Sequence, residues 1–148
     1  MKLKYSLIGV ALLMCLTEGA HSGVKYFVAE SESNKGSAIG LEYQIMDDEN
    51  NPDAKTGTPS DKNPSARKKI GERNQGMLRV YPDNKAEHWL KGYKAAEYVR
   101  GSAEFKSLAT VSKYKVWENF GMAKEGSVLL QNHGGQVSFR SVKIKTSL

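Results

Sequence analysis

The sequence predicts an antiparallel β-sandwich carrying one short helix. Short runs alternate apolar and polar side chains with a period of two, fourteen glycines punctuate them, and turn-forming clusters such as Pro82-Asp83-Asn84-Lys85, Lys91-Gly92 and Gly134-Gly135 divide one run from the next. At 148 residues, with 39% hydrophobic and 9% aromatic content, the chain suits one globular domain with a single core.

Residues 1–20 read as an export signal. Lys2 and Lys4 precede an apolar stretch, Ser6 to Leu16, that is too short to span a bilayer, and Ala20 offers a cleavage point. A buried N-terminal strand or helix is the other reading. Cys15 is a poor lipid-attachment site, because bulky Met14 precedes it. The expectation is an exported protein (periplasmic, cell-surface or secreted) whose mature chain has no stable membrane span, with the domain occupying residues 21–148. The single cysteine rules out an internal disulfide framework and a thiolate zinc cluster.

Gly23 to Ala29 is rich in β-branched and aromatic residues and reads as a strand. In the next run Ile39, Leu41, Tyr43 and Ile45 share one face, which leaves Glu42 and Gln44 on the other, about 7 Å apart. Asp47 and Asp48 open an acidic loop. From Asp47 to about Gln75 three prolines and a basic run with little apolar content read as one long loop. Two alternating runs flank Pro82 to Lys85 as a hairpin, and Lys91-Gly92 extends it into a meander ending near Val99. Ser102 caps a helix in which Phe105, Leu108 and Ala109 share a face. Gly126 to His133 and Val137 to Lys145 read as a last hairpin. In its second strand Val137 and Phe139 are out of phase with Val142 and Ile144, so either a bulge lies near Arg140-Ser141 or both faces are covered.

The net charge of +6 does not point to nucleic acid. Its basic residues are scattered, with concentrations at Lys62, Arg67, Lys68, Lys69 and Arg73 and at Arg140, Lys143 and Lys145, and no nucleic-acid motif accompanies them. No HExxH, GxSxG or phosphate loop is present.

Four pieces carry groups capable of chemistry: Glu42 with Gln44; Glu87-His88-Trp89; Gln131-Asn132-His133; and Asp47-Asp48. A carboxylate with two imidazoles can hold a divalent metal or supply an acid and a base. A tryptophan on a sheet face can stack on a sugar. Each also has a structural reading: His88 as a packed histidine, Trp89 as core, Gln131 and His133 as satisfiers of turn backbone.

Taken in order, His21-Ser22-Gly23-Val24-Lys25-Tyr26-Phe27-Val28, Ile39 to Asp48 with Pro52-Asp53-Ala54, Lys85-Ala86-Glu87-His88-Trp89-Leu90, Leu130-Gln131-Asn132-His133-Gly134 and Val137 to Ile144 resemble the 3-keto-disaccharide hydrolase family. The resemblance runs from about Leu16 to the C-terminus. It implies a concanavalin-like jelly roll and a carbohydrate substrate oxidised at the sugar C3. It makes Glu42, His88 and His133 the catalytic candidates, Gln44, Trp89, Gln131 and Arg140 substrate-binding residues, and Glu42 with His133 the ligands of a divalent metal. Family members carry an N-terminal part that precedes the Ser22-Gly23-Val24 segment, so a truncated member is expected. His21 stands where Asn is usual, Arg73 where Trp is usual and Asn132 where Asp is usual.

Overall fold

A computed structural model of the chain describes residues 8–29, 33–34, 37–47, 50 and 68–146. Asp48 and the loop residues 51–67, with Lys62 and Arg67, lie outside them.

Two antiparallel sheets pack face to face as a jelly-roll β-sandwich. The larger has the order β10-β1-β6-β7-β8, built from β1 (Ile8–Leu16), β6 (Asn74–Val80), β7 (Lys85–Leu90), β8 (Tyr93–Val99) and β10 (Val137–Thr146). The smaller has the order β5-β2-β9, from β2 (His21–Val28), β5 (Leu41–Met46) and β9 (Ser127–Gly134). A two-stranded ribbon, β3 (Ser33–Asn34) with β4 (Ser37–Ala38), sits in the β2–β5 connection.

The stretch expected to be the apolar part of an export signal is β1, paired on one side with β10 and on the other with β6. Its large side chains, Val10, Leu12, Met14 and Leu16, face inward and are at most 2% exposed, whereas Gly9, Ala11, Leu13 and Cys15 line the outer face. A continuous apolar run does not distinguish strand from signal by periodicity; here it is burial that alternates. Cleavage after Ala20 would remove this interior strand from its sheet.

β2 begins at His21, two residues before the expected start. The meander β6-β7-β8 forms as expected. Its second turn places Lys91 and Gly92 at φ of 48° and 80°, the twist that a two-residue hairpin loop requires. The helix α1 (Ala103–Thr110) starts at Ser102, whose hydroxyl accepts from the Phe105 amide at 3.1 Å, and Phe105 anchors it in the core. A 3₁₀ turn, Lys113–Val116, follows and buries Tyr114, which stacks on Phe120.

β9 and β10 do not form the expected hairpin: each joins a different sheet, and the Gly134-Gly135 turn carries the chain across the sandwich. Gly135, at φ 71°, lies so close to Ala20 that a Cβ would meet its Cα at 2.7 Å. The phase change in β10 is a bulge. Ser141 has a φ of 53°, and the register shifts opposite Leu12, so that Val137 and Phe139 before it and Ile144 after it stand opposite the inward residues Leu16, Met14 and Val10.

Candidate functional site

Strand alternation assigns the polar residues to faces. In β5, Leu41, Tyr43 and Ile45 enter the core, so Glu42 and Gln44 point away from the sandwich interior. In β2, Val24 and Tyr26 enter the core, which puts His21, Gly23 and Lys25 on the same outer face as Glu42 and Gln44. β9 adds Leu129, Gln131 and His133, since Gln131 pairs with Gly23 and Leu129 with Lys25.

Glu42 lies across the middle strand. Its Oε1 accepts from Gln131 Nε2 at 2.5 Å, which links the two outer strands over Gly23. The absence of a side chain at Gly23 allows this, because a Cβ there would overlap the Glu42 carboxylate. The amide holds one carboxylate oxygen in place. Gln44 Nε2 lies 3.0 Å from His21 Nε2, within hydrogen-bonding distance. The His21 and His133 rings are 4.9 Å apart. Lys25 donates to the Ala38 carbonyl at 2.9 Å. Although their face looks outward, Lys25, Glu42 and Gln44 are each only 8% exposed.

The structure therefore brings together Glu42, Gln44, Gln131 and His133 and separates them from the other candidates. His88 is a core residue. Ala86, His88 and Leu90 all point inward from β7, and the His88 ring packs 4.8 Å from that of Tyr43. Its Nε2 is hydrogen-bonded to the Tyr26 hydroxyl at 2.9 Å, and that hydroxyl also pairs with the Tyr98 hydroxyl. Burial pushes the His88 pKa down to about 3, so the ring stays neutral. Burial also raises the Tyr43 phenol, which donates to the Trp89 carbonyl at 2.8 Å.

Trp89 alternates with His88 and so lies on the outer face of the larger sheet. There its Nε1 donates to Glu87 at 3.0 Å, as does the Tyr81 hydroxyl at 3.0 Å. Burial works to raise the Glu87 carboxyl, but these bonds and Lys85, 3.2 Å away, outweigh it and hold the group below the ordinary carboxylate range. Trp89 thus serves a structural knot, not the Glu42 face. Arg140, opposite Leu13 on β10, is also on the outside of the larger sheet.

Asp47 is 2% exposed and structural: its Oδ2 accepts from the Gly19 amide and from Asn50 Nδ2, both at 2.9 Å. Asn132 closes the turn at the end of β9 by accepting from the Gly134 amide at 3.0 Å and donating to the Gly135 carbonyl at 3.2 Å. Among the described residues no three His, Cys, Asp or Glu side chains converge on one point. Glu42 and His133, the residues expected to hold a divalent ion, share the outer face of the smaller sheet, where Gln131 engages one Glu42 oxygen.

His21 and Lys25 are members of this face that the sequence reading passed over. Their signal is the alternation of His21, Gly23 and Lys25 with Ser22, Val24 and Tyr26. The cleft between β8 and α1 has an aromatic floor of Tyr98, Phe105, Tyr114 and Phe120 and also carries Glu97 and Glu104, but none of the sequence-predicted site residues lines it. Chemistry, rather than concavity, marks the site.

Comparison with known proteins agrees with this architecture. A curated 3-keto-disaccharide hydrolase of Bacteroides thetaiotaomicron is 26% identical over 160 residues, covering 88% of this chain and 55% of the relative. The chain thus spans about half the length of the curated relative it matches. A crystal structure of a candidate glycosyl hydrolase of Parabacteroides distasonis superposes with a TM-score of 0.77 at 27% identity, over 99% of this chain and 72% of that one. A second such P. distasonis structure shares the fold, with a TM-score of 0.68 at 18% identity over 99% and 80% of the two chains. The family model for the 3-keto-alpha-glucoside-1,2-lyase-like domain matches residues 2–145, a span that takes in β1, and the chain belongs to that family.

Proposed function

We propose that the outer face of the smaller sheet cleaves glycosides oxidised at C3 of the sugar, by elimination across C1 and C2 followed by addition of water. The observation that carries this reading is the Glu42 carboxylate, fixed by Gln131 across Gly23, with His133 two residues further along the same face of β9.

The C3 ketone acidifies the C2 proton. Glu42 removes it, and the electron pair of the C2–H bond becomes the enolate. The enolate then re-forms the ketone as it builds the C1–C2 double bond and expels the C1 oxygen, and His133 gives that oxygen its proton. Water adds in reverse: its hydroxyl bonds C1, its proton returns to His133, and Glu42 delivers the stored proton to C2. Gln131 keeps the carboxylate in place, and Gln44 fixes the orientation of His21 beside His133.

The test uses aryl and alkyl 3-keto-glucosides. Glu42→Gln is expected to lose about 100-fold or more in turnover with an unchanged melting temperature. His133→Ala should slow the alkyl glycoside far more than the aryl one, whose leaving group needs no proton. Full activity in both variants would remove the assignment. Saturable binding without turnover by the unaltered chain would replace it with a carbohydrate-binding role.

A further inference from the structure

Three groups stand in a row along the outer face of the smaller sheet. His21, Gly23 and Lys25 follow one another on β2 at every second residue, about 7 Å apart. His21 lies beside His133, and the Glu42 carboxylate occupies the space over Gly23, where Gln131 holds it. Lys25 comes next, between Glu42 of β5 and Leu129 of β9 in the register of the sheet. The row therefore runs imidazole, carboxylate, ammonium.

Lys25 is an uncommon occupant of such a place. A lysine on a sheet face ordinarily carries its ammonium into water, yet this one is 8% exposed, and its Nζ is drawn to the Ala38 carbonyl at 2.9 Å. An ammonium has three N–H donors on a flexible four-carbon stem, so it can hold a second oxygen along with that carbonyl. The stem is long enough to bring Nζ back along the strand towards a molecule seated over the Glu42 carboxylate.

In the reaction proposed above, the leaving oxygen on C1, the proton on C2 and the ketone oxygen on C3 also stand in a row, and negative charge gathers on the last. We infer that Lys25 is a further catalytic residue, the donor that holds the C3 oxygen while it carries the enolate charge; the inference rests on that reaction. As Glu42 takes the C2 proton, the C–H electron pair forms the C2–C3 double bond and the carbonyl pair moves onto the oxygen. The ammonium stabilises that charge by hydrogen bonding and keeps its own proton. When the C1–O bond breaks, the pair returns to the carbonyl and Lys25 faces a neutral ketone again. It therefore binds the enolate more strongly than the substrate, which is what lowers the barrier.

Enolisation is read apart from cleavage with 1,5-anhydroglucitol oxidised at C3, which has no aglycone to lose. Exchange of its C2 proton in deuterated water is followed by proton NMR. The unaltered chain should exchange it and Glu42→Gln should not; absence of exchange in the unaltered chain overturns the reaction, and this inference with it. Lys25→Met and Lys25→Gln should each slow exchange at saturating ketone by about 100-fold or more, the loss expected for one oxyanion donor. Lys25→Gln keeps an N–H donor for the Ala38 carbonyl, so a lysine that only braces the sheet would leave exchange intact in that variant. Exchange at the parental rate in either folded variant overturns the role of Lys25 and leaves Glu42 and His133 standing. The unaltered chain gives a second reading: the same ketone should slow acetylation of Lys25 more than that of exposed Lys106, and equal rates with and without it overturn the inference.

Discussion

Replacing Gly23 with alanine separates the site from the fold. Gly23 is in extended backbone, where alanine is permitted and by itself stabilises by about 0.4–1 kcal/mol. The added Cβ would lie 2.8 Å from Glu42 Cδ and 2.9 Å from Cγ, whereas ordinary contacts begin at 3.4 Å. The carbons must therefore retreat by at least about 0.6 Å, and the nearer Oε1 by more. The 0.6 Å shift of the carbons would leave the 2.5 Å bond to Gln131 intact, but Oε1 must move by about 1.4 Å, which directed away from Gln131 carries it beyond hydrogen-bonding range. Losing a charge-assisted bond costs roughly 1.5–3 kcal/mol, offset in part by the gain in the backbone. The net loss of about 0.5–2.6 kcal/mol should lower the melting temperature by about 1–10 °C. Activity should fall much further: misplacing a reacting group by about 1 Å costs on the order of 100-fold. The assay pairs a thermal melt with turnover of a 3-keto-glucoside. Full turnover in Gly23→Ala would refute the claim that Glu42 works from its position across β2.

Acid should destabilise the fold through His88. The unfolded ring takes a proton near pH 6.5 and the folded ring only near 3, so stability is steady above about 6.5 and declines as pH falls from there towards 3. The loss is about 1.4 kcal/mol per pH unit, or roughly 2 kcal/mol at pH 5, and denaturant melts of the parent and of His88→Asn should differ in that slope. A chain beginning at His21 should show no cooperative transition. It lacks Val10, Leu12, Met14 and Leu16, whose burial contributes on the order of 6–12 kcal/mol, comparable with the whole stability of a domain. Ser102→Ala should cost about 1 kcal/mol, read from the midpoint of urea unfolding, because the Phe105 amide loses its cap.

The parts legible in the sequence were those governed by local rules. The Lys91-Gly92 turn, the Ser102 cap and the alternation that puts Glu42 and Gln44 on one face depend on neighbours a few residues away, and the structure keeps them all. What the sequence alone did not settle depends on partners. Which sheet β9 and β10 join depends on β2 and β1, far away in the chain, so a Gly-Gly turn between two strands reads as a hairpin when it is a crossing. His88 and His133 look alike as strand histidines. Only the packing of Tyr26, Tyr43 and Tyr98 around one of them shows that it belongs to the core. Trp89 could be placed opposite His88 by alternation, but not on the face away from Glu42, because that required knowing which side of β7 meets the smaller sheet.

The bulge at Ser141 gives β10 something like a frame shift written into its text. Val137 and Phe139 are inward at odd positions, and Ile144 is inward at an even one. Deleting Ser141 would remove the extra residue and leave Leu12 opposite Val142, so that Val137, Phe139, Val142 and Ile144 fall on one inward face in uniform alternation. Losing a residue on either side of the bulge instead changes the meaning of every residue beyond it: without Lys143, Ile144 takes an outward place and Lys145 an inward one. β10 should therefore tolerate the loss of Ser141 and not that of Lys143, a contrast that a deletion scan of the strand would make visible.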